Sequence, residues 1–231
     1  MDTNPNDQWA KVEITETLTG RRPGGSAAEK ARELRRASPV RTSIARLLGA
    51  HNDERAWRKG GAGERATAWW LGHLPDGWHL LNDIPVGELG ANIDHVIVGP
   101  AGVFTVNAKN LTGKVWVGPR SIRHDGHITN FLPKSRHEAQ RAARMLSAAV
   151  GFPVIVHPVL AILADDWTVK GSPEDVFVGA PRGVKDWLRR LPAVLDPRTV
   201  TSLAAAAAKP GTWHDVLPVQ QQDVARNPGA H

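Results

Sequence analysis

The chain contains no cysteine, so neither a disulfide bond nor a thiolate metal site can form. That absence fits a reducing compartment, and we expect a cytoplasmic protein. No stretch approaches ~18 consecutive uncharged apolar residues, so we expect no membrane span. The first twenty residues also lack the basic and then apolar pattern of a secretory signal. The hydrophobic content of 41% is nevertheless sufficient for a buried core.

Acidic residues are scarce between positions 20 and 60, where eleven Lys/Arg stand against four Asp/Glu. The whole chain has 29 basic and 23 acidic residues, so the other positions carry 18 and 19. The net charge of +6 therefore comes from this one segment. A helix predicted over residues 27–37 places Arg32, Arg35 and Arg36 on one side. Two interpretations remain open: attachment to a phosphate backbone, or a solvated arm without a partner.

Residues 92–109 form the most informative stretch, because two apolar, β-branched runs flank the turn residues of Gly99 to Gly102. If those two glycines face each other, the register of an antiparallel hairpin follows, and Asp94 meets Asn107. Side chains of a strand alternate between its two faces. This register therefore predicts one polar patch on a mostly apolar hairpin, made of Asn92, Asp94, Asn107 and Lys109.

Such a patch has two interpretations. Carboxylate and amide oxygens suit a hard cation such as Mg²⁺, whose bound water can attack a phosphate, and a nearby lysine can stabilise the developing charge. Alternatively, Asp94 and Lys109 form a surface ion pair on an ordinary hairpin. Residue types alone leave both open.

Several short motifs in a fixed order carry a resemblance to a known family. They are Gly63-Glu64, Leu80-Leu81-Asn82-Asp83, Ala91-Asn92-Ile93-Asp94-His95, Gly99-Pro100-Ala101-Gly102-Val103-Phe104, Asn107-Ala108-Lys109-Asn110 and Gly113-Lys114-Val115. Over roughly residues 60–165 the chain resembles the nuclease-related domain, a branch of the PD-(D/E)xK nuclease superfamily.

This resemblance implies an α/β (α+β) fold with a restriction-endonuclease-like core, in which helices flank a central mixed β-sheet. The catalytic positions it implies are Glu64, Asp94, Asn107, Lys109 and Gln140. The implied ligands of Mg²⁺ or Mn²⁺ are Glu64, Asp94, Asn107 and the carbonyl of Ala108. The superfamily pattern has Asp or Glu where this chain has Asn107, which removes one negative charge.

A helix is predicted over residues 135–150, with a stripe at helical period formed by Glu138, Ala142, Met145, Leu146 and Ala149. Further phosphate contacts are expected from its opposite side and from a β-ribbon that follows the hairpin. These candidates are Lys114, Arg123, Arg141 and Arg144, and each is also compatible with an ordinary solvated surface.

We expect a basic extension over residues 1–55, a nuclease-related core over 56–180, and a helical extension with a loose tail over 181–231. The function predicted is metal-dependent hydrolysis of DNA, although nothing in the residues distinguishes DNA from RNA. The alternative is a weak or inactive module that binds nucleic acid or a protein partner, which Asn107 favours. A purely structural assembly module is a third hypothesis, and a homodimer is compatible with the sequence.

Overall fold

The computed structural model describes residues 17–25, 51–87 and 91–214. The basic helix predicted over residues 27–37 lies outside these ranges, as does nearly all of the predicted C-terminal tail. The helices of the described part are α1 (His51–Leu71), α2 (Phe131–Val150), α3 (Pro181–Leu188) and α4 (Pro197–Ala207), followed by a 3₁₀ turn at Pro210–Trp213.

The strands, in chain order, are short to medium in length. They are β1 (His79–Val86), β2 (Ala91–Gly99), β3 (Gly102–Asn110), β4 (Lys114–Val117), β5 (Ile122–His124), β6 (His127–Ile128), β7 (Val156–Leu163), β8 (Asp166–Val169) and β9 (Phe177–Gly179).

A central mixed sheet has the strand order β1-β2-β3-β7-β9. The first three strands are antiparallel neighbours, whereas β7 runs parallel to both β3 and β9. Helices flank this sheet, which confirms the predicted α/β fold with a restriction-endonuclease-like core. The predicted hairpin register is confirmed from Gly99 and Gly102 to His95 and Val106, whereas the predicted pair of Asp94 with Asn107 lies beyond the paired residues.

Alternate residues of β2 and β3 enter two different cores, one on each face of the sheet. Val96, Val98 and Val103 pack with α2, α4 and the 3₁₀ turn. The intervening Ile97 and Phe104 pack with α1 and α3. Both C-terminal helices therefore cover the central sheet, and the proposed division of the chain at residues 55 and 180 remains a prediction.

A second sheet has the order β6-β5-β4-β8 and includes the predicted β-ribbon. The strand β8 was not predicted, because the acidic pair Asp165-Asp166 favoured a turn leading into residues 167–170, whereas β8 begins at Asp166. Its formation has a simple cause: β3 and β7 are parallel partners, and each leads within a few residues into β4 and β8, which pair in parallel again.

The helix α2 begins at Phe131, four residues before the predicted start at residue 135. Pro133 lies in the first turn, where the backbone N–H that proline lacks would have no partner within the helix. None of the helices in the described ranges is long and apolar enough to cross a lipid bilayer.

Gly63 marks a close approach between α1 and β3, and it lies next to Glu64. A Cβ at this position would lie 2.8 Å from Asn110 Cβ, whereas a Cβ at Gly60 would have no neighbour within 4 Å. Gly60→Ala should therefore stabilise the protein by ~0.5–1 kcal/mol through helix propensity. Gly63→Ala should destabilise it by ~1–2 kcal/mol, because overpacking outweighs that gain.

Chemical denaturation of the two alanine variants measures this difference. Equal stabilisation of both would show that α1 does not pack closely against β3 at Gly63. Because both substitutions add the same methyl group to the same helix, the Gly60 variant is the matched control.

Candidate active site at the fork of β2 and β3

The predicted site lies where two paired strands separate. The ladder between β2 and β3 runs from Gly99 and Gly102 to His95 and Val106. Beyond that point β2 stays paired with β1, and β3 stays paired with β7. The side chain of Asp94 lies in this fork, and its Oδ2 accepts a hydrogen bond of 2.7 Å from the Ala108 N–H. A half-buried carboxylate is thereby fixed between the diverging strands.

Asn107 does not complete the polar patch in the way the sequence suggested. It is 2% exposed, and its Nδ2 donates to both carboxylate oxygens of Glu138 on α2, at 3.0 and 2.8 Å. Its Oδ1 is buried and has no hydrogen-bond partner among the described residues. The amide therefore binds the carboxylate of a neighbouring helix and leaves a buried acceptor oxygen unsatisfied.

Asn92 was predicted to lie opposite Lys109, and this prediction is wrong. Asn92 pairs with Pro85 of β1, because β2 and β3 have already separated at this point. Its Nδ2 donates to Asp83 Oδ1 at 2.9 Å. Asn92 therefore forms a hydrogen bond with Asp83 and does not lie opposite Lys109.

Asp83 is a buried acid that the sequence reasoning did not assign to the site. It is 3% exposed, has a φ of 54°, and forms an ion pair of 3.2 Å with Arg21. A positive φ is uncommon for a residue other than glycine and is more often accepted by Asp and Asn. Its charge nevertheless reaches the site, because it contributes to raising the pKa of Glu64. An aspartate that interrupts a strand motif was the available signal.

Lys109 is half-buried beside the fork. Its Nζ lies 3.3 Å from the Ala108 carbonyl oxygen and 5.6 Å from the centre of the Phe131 ring. Burial lowers the pKa of Lys109, while the carboxylates of Asp94, Glu138 and Glu64 favour its charged form. The ammonium thus lies among acids contributed by three different elements.

Glu64 reaches the same region from α1. Burial, reinforced by the charges of Asp94 and Asp83, raises the pKa of Glu64 to about 7. Lys109 and a hydrogen bond from the Gly24 backbone act in the opposite direction. The carboxylates of the site therefore repel one another more than the local cations compensate.

Glu138 is the residue of α2 that faces the fork, and Gln140 is not. Gln140 is exposed, whereas Glu138 is 9% exposed and binds Asn107. Burial raises the pKa of Glu138, the hydrogen bond from Asn107 lowers it, and Asp94 raises it further. The predicted support from Gln140 is thus corrected. A carboxylate within an otherwise apolar stripe was the signal for Glu138. We call Glu64, Asp94, Asn107, Lys109 and Glu138 the fork site.

His95 follows Asp94 in the sequence but lies on the other face of β2, since neighbouring side chains alternate. It is fully buried, its Nδ1 lies 2.9 Å from Asn82 Oδ1, and burial lowers its pKa to about 4. A neutral, enclosed imidazole of this kind is part of the core and not of the fork site.

The fit of the fork site to a divalent cation rests on its chemistry. Within the described ranges, no three His, Asp or Glu side chains form a ready-made metal cluster. The donors nevertheless suit a hard cation, since they are carboxylate oxygens and an amide oxygen. The unsatisfied Asn107 Oδ1 and the raised pKa values of Glu64 and Glu138 are features that a bound cation would relieve.

A cavity of about 390 Å³ opens at the carboxyl ends of β3 and β7. Asn110, Asp165 and Trp167 are among its lining residues, and no residue of the fork site lines it. The cavity thus begins one residue beyond Lys109 and is separate from the fork.

The predicted nucleic-acid contacts are distributed over several surfaces. Lys114, Arg123 and Arg144 are exposed, and Arg141 is half-buried. Arg123 donates to the Gly126 carbonyl oxygen at 3.2 Å. The remaining candidates, Arg32, Arg35 and Arg36, lie outside the described ranges.

Glu64 gives the stability of the protein a pH dependence with a defined sign. Its pKa is raised from 4.5 to about 7 on folding, so between these values the folded protein keeps a proton that the unfolded chain has released. Stability should therefore fall as pH rises through that window. Glu64→Gln removes this loss. The free energy of unfolding of the variant, relative to that of the parent, should therefore rise by ~1 kcal/mol between pH 5 and pH 8, after allowance for solvent screening.

Thermal unfolding at the two pH values measures this effect. The Tm of the Gln variant, relative to that of the parent, should rise by ~2–4 °C from pH 5 to pH 8. Glu174→Gln, the same change at an exposed position, is the control and should show no pH-dependent gain. A constant difference between the Glu64 variant and the parent across this range would contradict the raised pKa.

Comparison with known proteins supports the resemblance noted from the motifs. Residues 59–163 match the family model of the nuclease-related domain. No curated protein and no solved structure matches the chain. The matched segment extends from within α1 to the end of β7, so it includes every residue of the fork site. Over residues 59–163, the chain therefore matches the family of the nuclease-related domain.

Proposed function

We propose that this domain hydrolyses phosphodiester bonds of DNA in a reaction that depends on Mg²⁺ or Mn²⁺. The proposal is supported by the hydrogen bond that ties Asp94 of β2 to β3, and by the charge interactions of Glu64 on α1 with Asp94 and Lys109. The family itself is nuclease-related, which points to a divalent metal and a nucleic acid in general. The ion and the substrate named here go beyond that.

Within this proposal, the cation ligands are Asp94, Glu64, the Asn107 amide oxygen and the Ala108 carbonyl. A bound divalent ion supplies a water of lowered pKa and offsets the charge of the phosphate. The chain's own contribution begins with Asp94, which is held rigidly by the Ala108 N–H. Lys109, partly withdrawn from solvent, stabilises negative charge that develops on the phosphate.

The substrate would be held through its phosphates, as the absence of any base-reading motif suggests. We propose the exposed Lys114, Arg123 and Arg144 for such contacts, together with the half-buried Arg141, which shares α2 with Arg144. Arg32, Arg35 and Arg36 are proposed to add to this attachment. Because these contacts are electrostatic, binding should weaken as the salt concentration rises.

A second function is favoured by Asn107 itself. The superfamily pattern has a carboxylate at that position, and an amide holds a divalent cation less strongly. The domain would then bind nucleic acid or a protein partner with little or no cleavage. A homodimer remains a prediction under either function.

The deciding experiment is a nicking assay on supercoiled plasmid DNA with Mn²⁺, run on the parent and on Asn107→Asp. Cleavage by the parent that EDTA abolishes supports the nuclease. DNA binding with no cleavage by the parent, but with cleavage gained in Asn107→Asp, supports the binding module. Neither binding nor cleavage by either protein would overturn both functions.

A further inference from the structure

The pair formed by Asn107 and Glu138 joins β3 to α2 through buried polar atoms. The two residues are 2% and 9% exposed, and one amide nitrogen donates to both carboxylate oxygens, at 3.0 and 2.8 Å. Every other residue that α2 buries, except Ser135, is apolar. A carboxylate on such a face is costly unless it is paired, so its presence needs a physical reason.

The partners of Glu138 in the described structure compensate it only in part. Besides Asn107, the cation nearest to it is Lys134, whose Nζ lies 3.9 Å from Oε1 and whose side chain is 55% exposed. Two further polar atoms in this layer are buried without a hydrogen-bond partner among the described residues: Asn107 Oδ1 and Ser135 Oγ, the latter one turn before Glu138. Because the Ser135 hydroxyl can also donate, the clear unsatisfied acceptor is Asn107 Oδ1, which belongs to the same amide that binds Glu138.

Glu138 also interacts electrostatically with two charged residues of the fork site, Asp94 and Lys109. Its carboxylate is subject to the charges of Asp94 and Lys109, and it in turn favours the charged form of Lys109. The carboxylate that accompanies Asp94 and Lys109 therefore comes from α2, while the strand position between them carries an amide.

We infer that Glu138 supplies, from α2, the cation-binding carboxylate that the nuclease pattern places at position 107, and that Asn107 fixes its orientation. In this arrangement the strand carries the amide and the helix carries the acid, so the site has the same number of carboxylates as the pattern implies. The inference rests on the proposed metal-dependent function. It assigns Asn107 a double role, since its Nδ2 aligns Glu138 while its Oδ1 remains free to face a cation.

The test compares Mn²⁺ affinity, by calorimetric titration of the full chain, in the parent, Glu138→Gln and the exchange variant Asn107→Glu/Glu138→Gln. The Gln side chain keeps the volume of Glu138 and can still accept from the Asn107 amide. We expect Glu138→Gln to weaken Mn²⁺ binding by ~10–100-fold. The exchange variant should return to within about 3-fold of the parent, because it places the acid on the strand and the amide on the helix.

Glu174→Gln is the matched control, since it removes the same charge at an exposed position and should bind Mn²⁺ like the parent. Parental affinity in Glu138→Gln would overturn the inference while leaving the proposed function intact. So would a folded exchange variant that fails to recover binding. If Glu138→Gln does not fold, the Mn²⁺ affinity of the exchange variant alone tests the inference, which then requires an affinity close to that of the parent. A parent that binds no Mn²⁺ would instead reject the proposed function, and the inference with it.

Discussion

Replacing Asp94 with Asn should lower Mn²⁺-dependent DNA cleavage by roughly 10³-fold or more, because it removes a carboxylate on which the site depends. The fold should be preserved, since the Asn side-chain oxygen can still accept the hydrogen bond that Ala108 N–H now gives to Asp94 Oδ2. The free energy of unfolding should not fall, because the substitution removes a negative charge that repels Glu64 and raises its pKa. Plasmid nicking, Mn²⁺ titration and thermal unfolding of the same preparation measure the three expectations.

The matched control is Asp165→Asn at the end of β7. Asp165 lies in the acidic pair that precedes β8, is exposed, and lines the cavity beyond Lys109. Its replacement should leave cleavage and Mn²⁺ binding at the parental level. If the control instead abolishes cleavage and Asp94→Asn does not, the chemistry belongs to the cavity and not to the fork.

Lys109→Met should lower cleavage by ~100-fold while Mn²⁺ binding is retained or strengthened. The loss follows because a charge that stabilises the reacting phosphate disappears from a partly desolvated site. Mn²⁺ binding should not suffer, since removing an ammonium near Asp94, Glu138 and Glu64 lessens repulsion of the incoming cation. The Met side chain keeps most of the buried length of Lys, although it loses the cation–π contact of the ammonium with Phe131.

This separation of rate from cation affinity distinguishes Lys109 from Asp94, whose replacement should reduce both. Lys209→Met, the same change at an exposed position after α4, is the control and should cleave like the parent. A Lys109 variant that retains the parental rate would leave the ammonium with only a structural role.

The hairpin illustrates what local sequence determines well. Its register depends on two glycines three positions apart at the ends of one tight turn, and on alternation within the adjoining strands, so neighbouring residues suffice to predict it. The motif order then predicted Asp94, Lys109 and Glu64 as residues of the site, and this remains a prediction. The same reasoning failed at Asn92, because a two-strand register does not show where β2 leaves β3 and continues along β1.

The orientation of helix α2 illustrates a feature that the local sequence does not determine. Glu138 and Gln140 are two positions apart, which corresponds to a rotation of roughly 200° around the helix axis. Which of them faces the fork depends on how α2 is rotated against the sheet. That rotation is set by the packing of Leu132, Ala142 and Leu146 against different strands and cores. Periodicity grouped Glu138 with the inward-facing residues, but not with Asn107.

The sequence alone therefore determined the hairpin, the alternation of its faces and the set of chemical groups available on β2, β3 and α1. The tertiary structure alone decided that Asn107 binds Glu138, that Asp83 adds its charge to the site, and that β8 pairs with β4. The physical reason is the range of the interactions. Turns and alternation follow from bonded neighbours, whereas these three contacts depend on how separate elements pack around the central sheet.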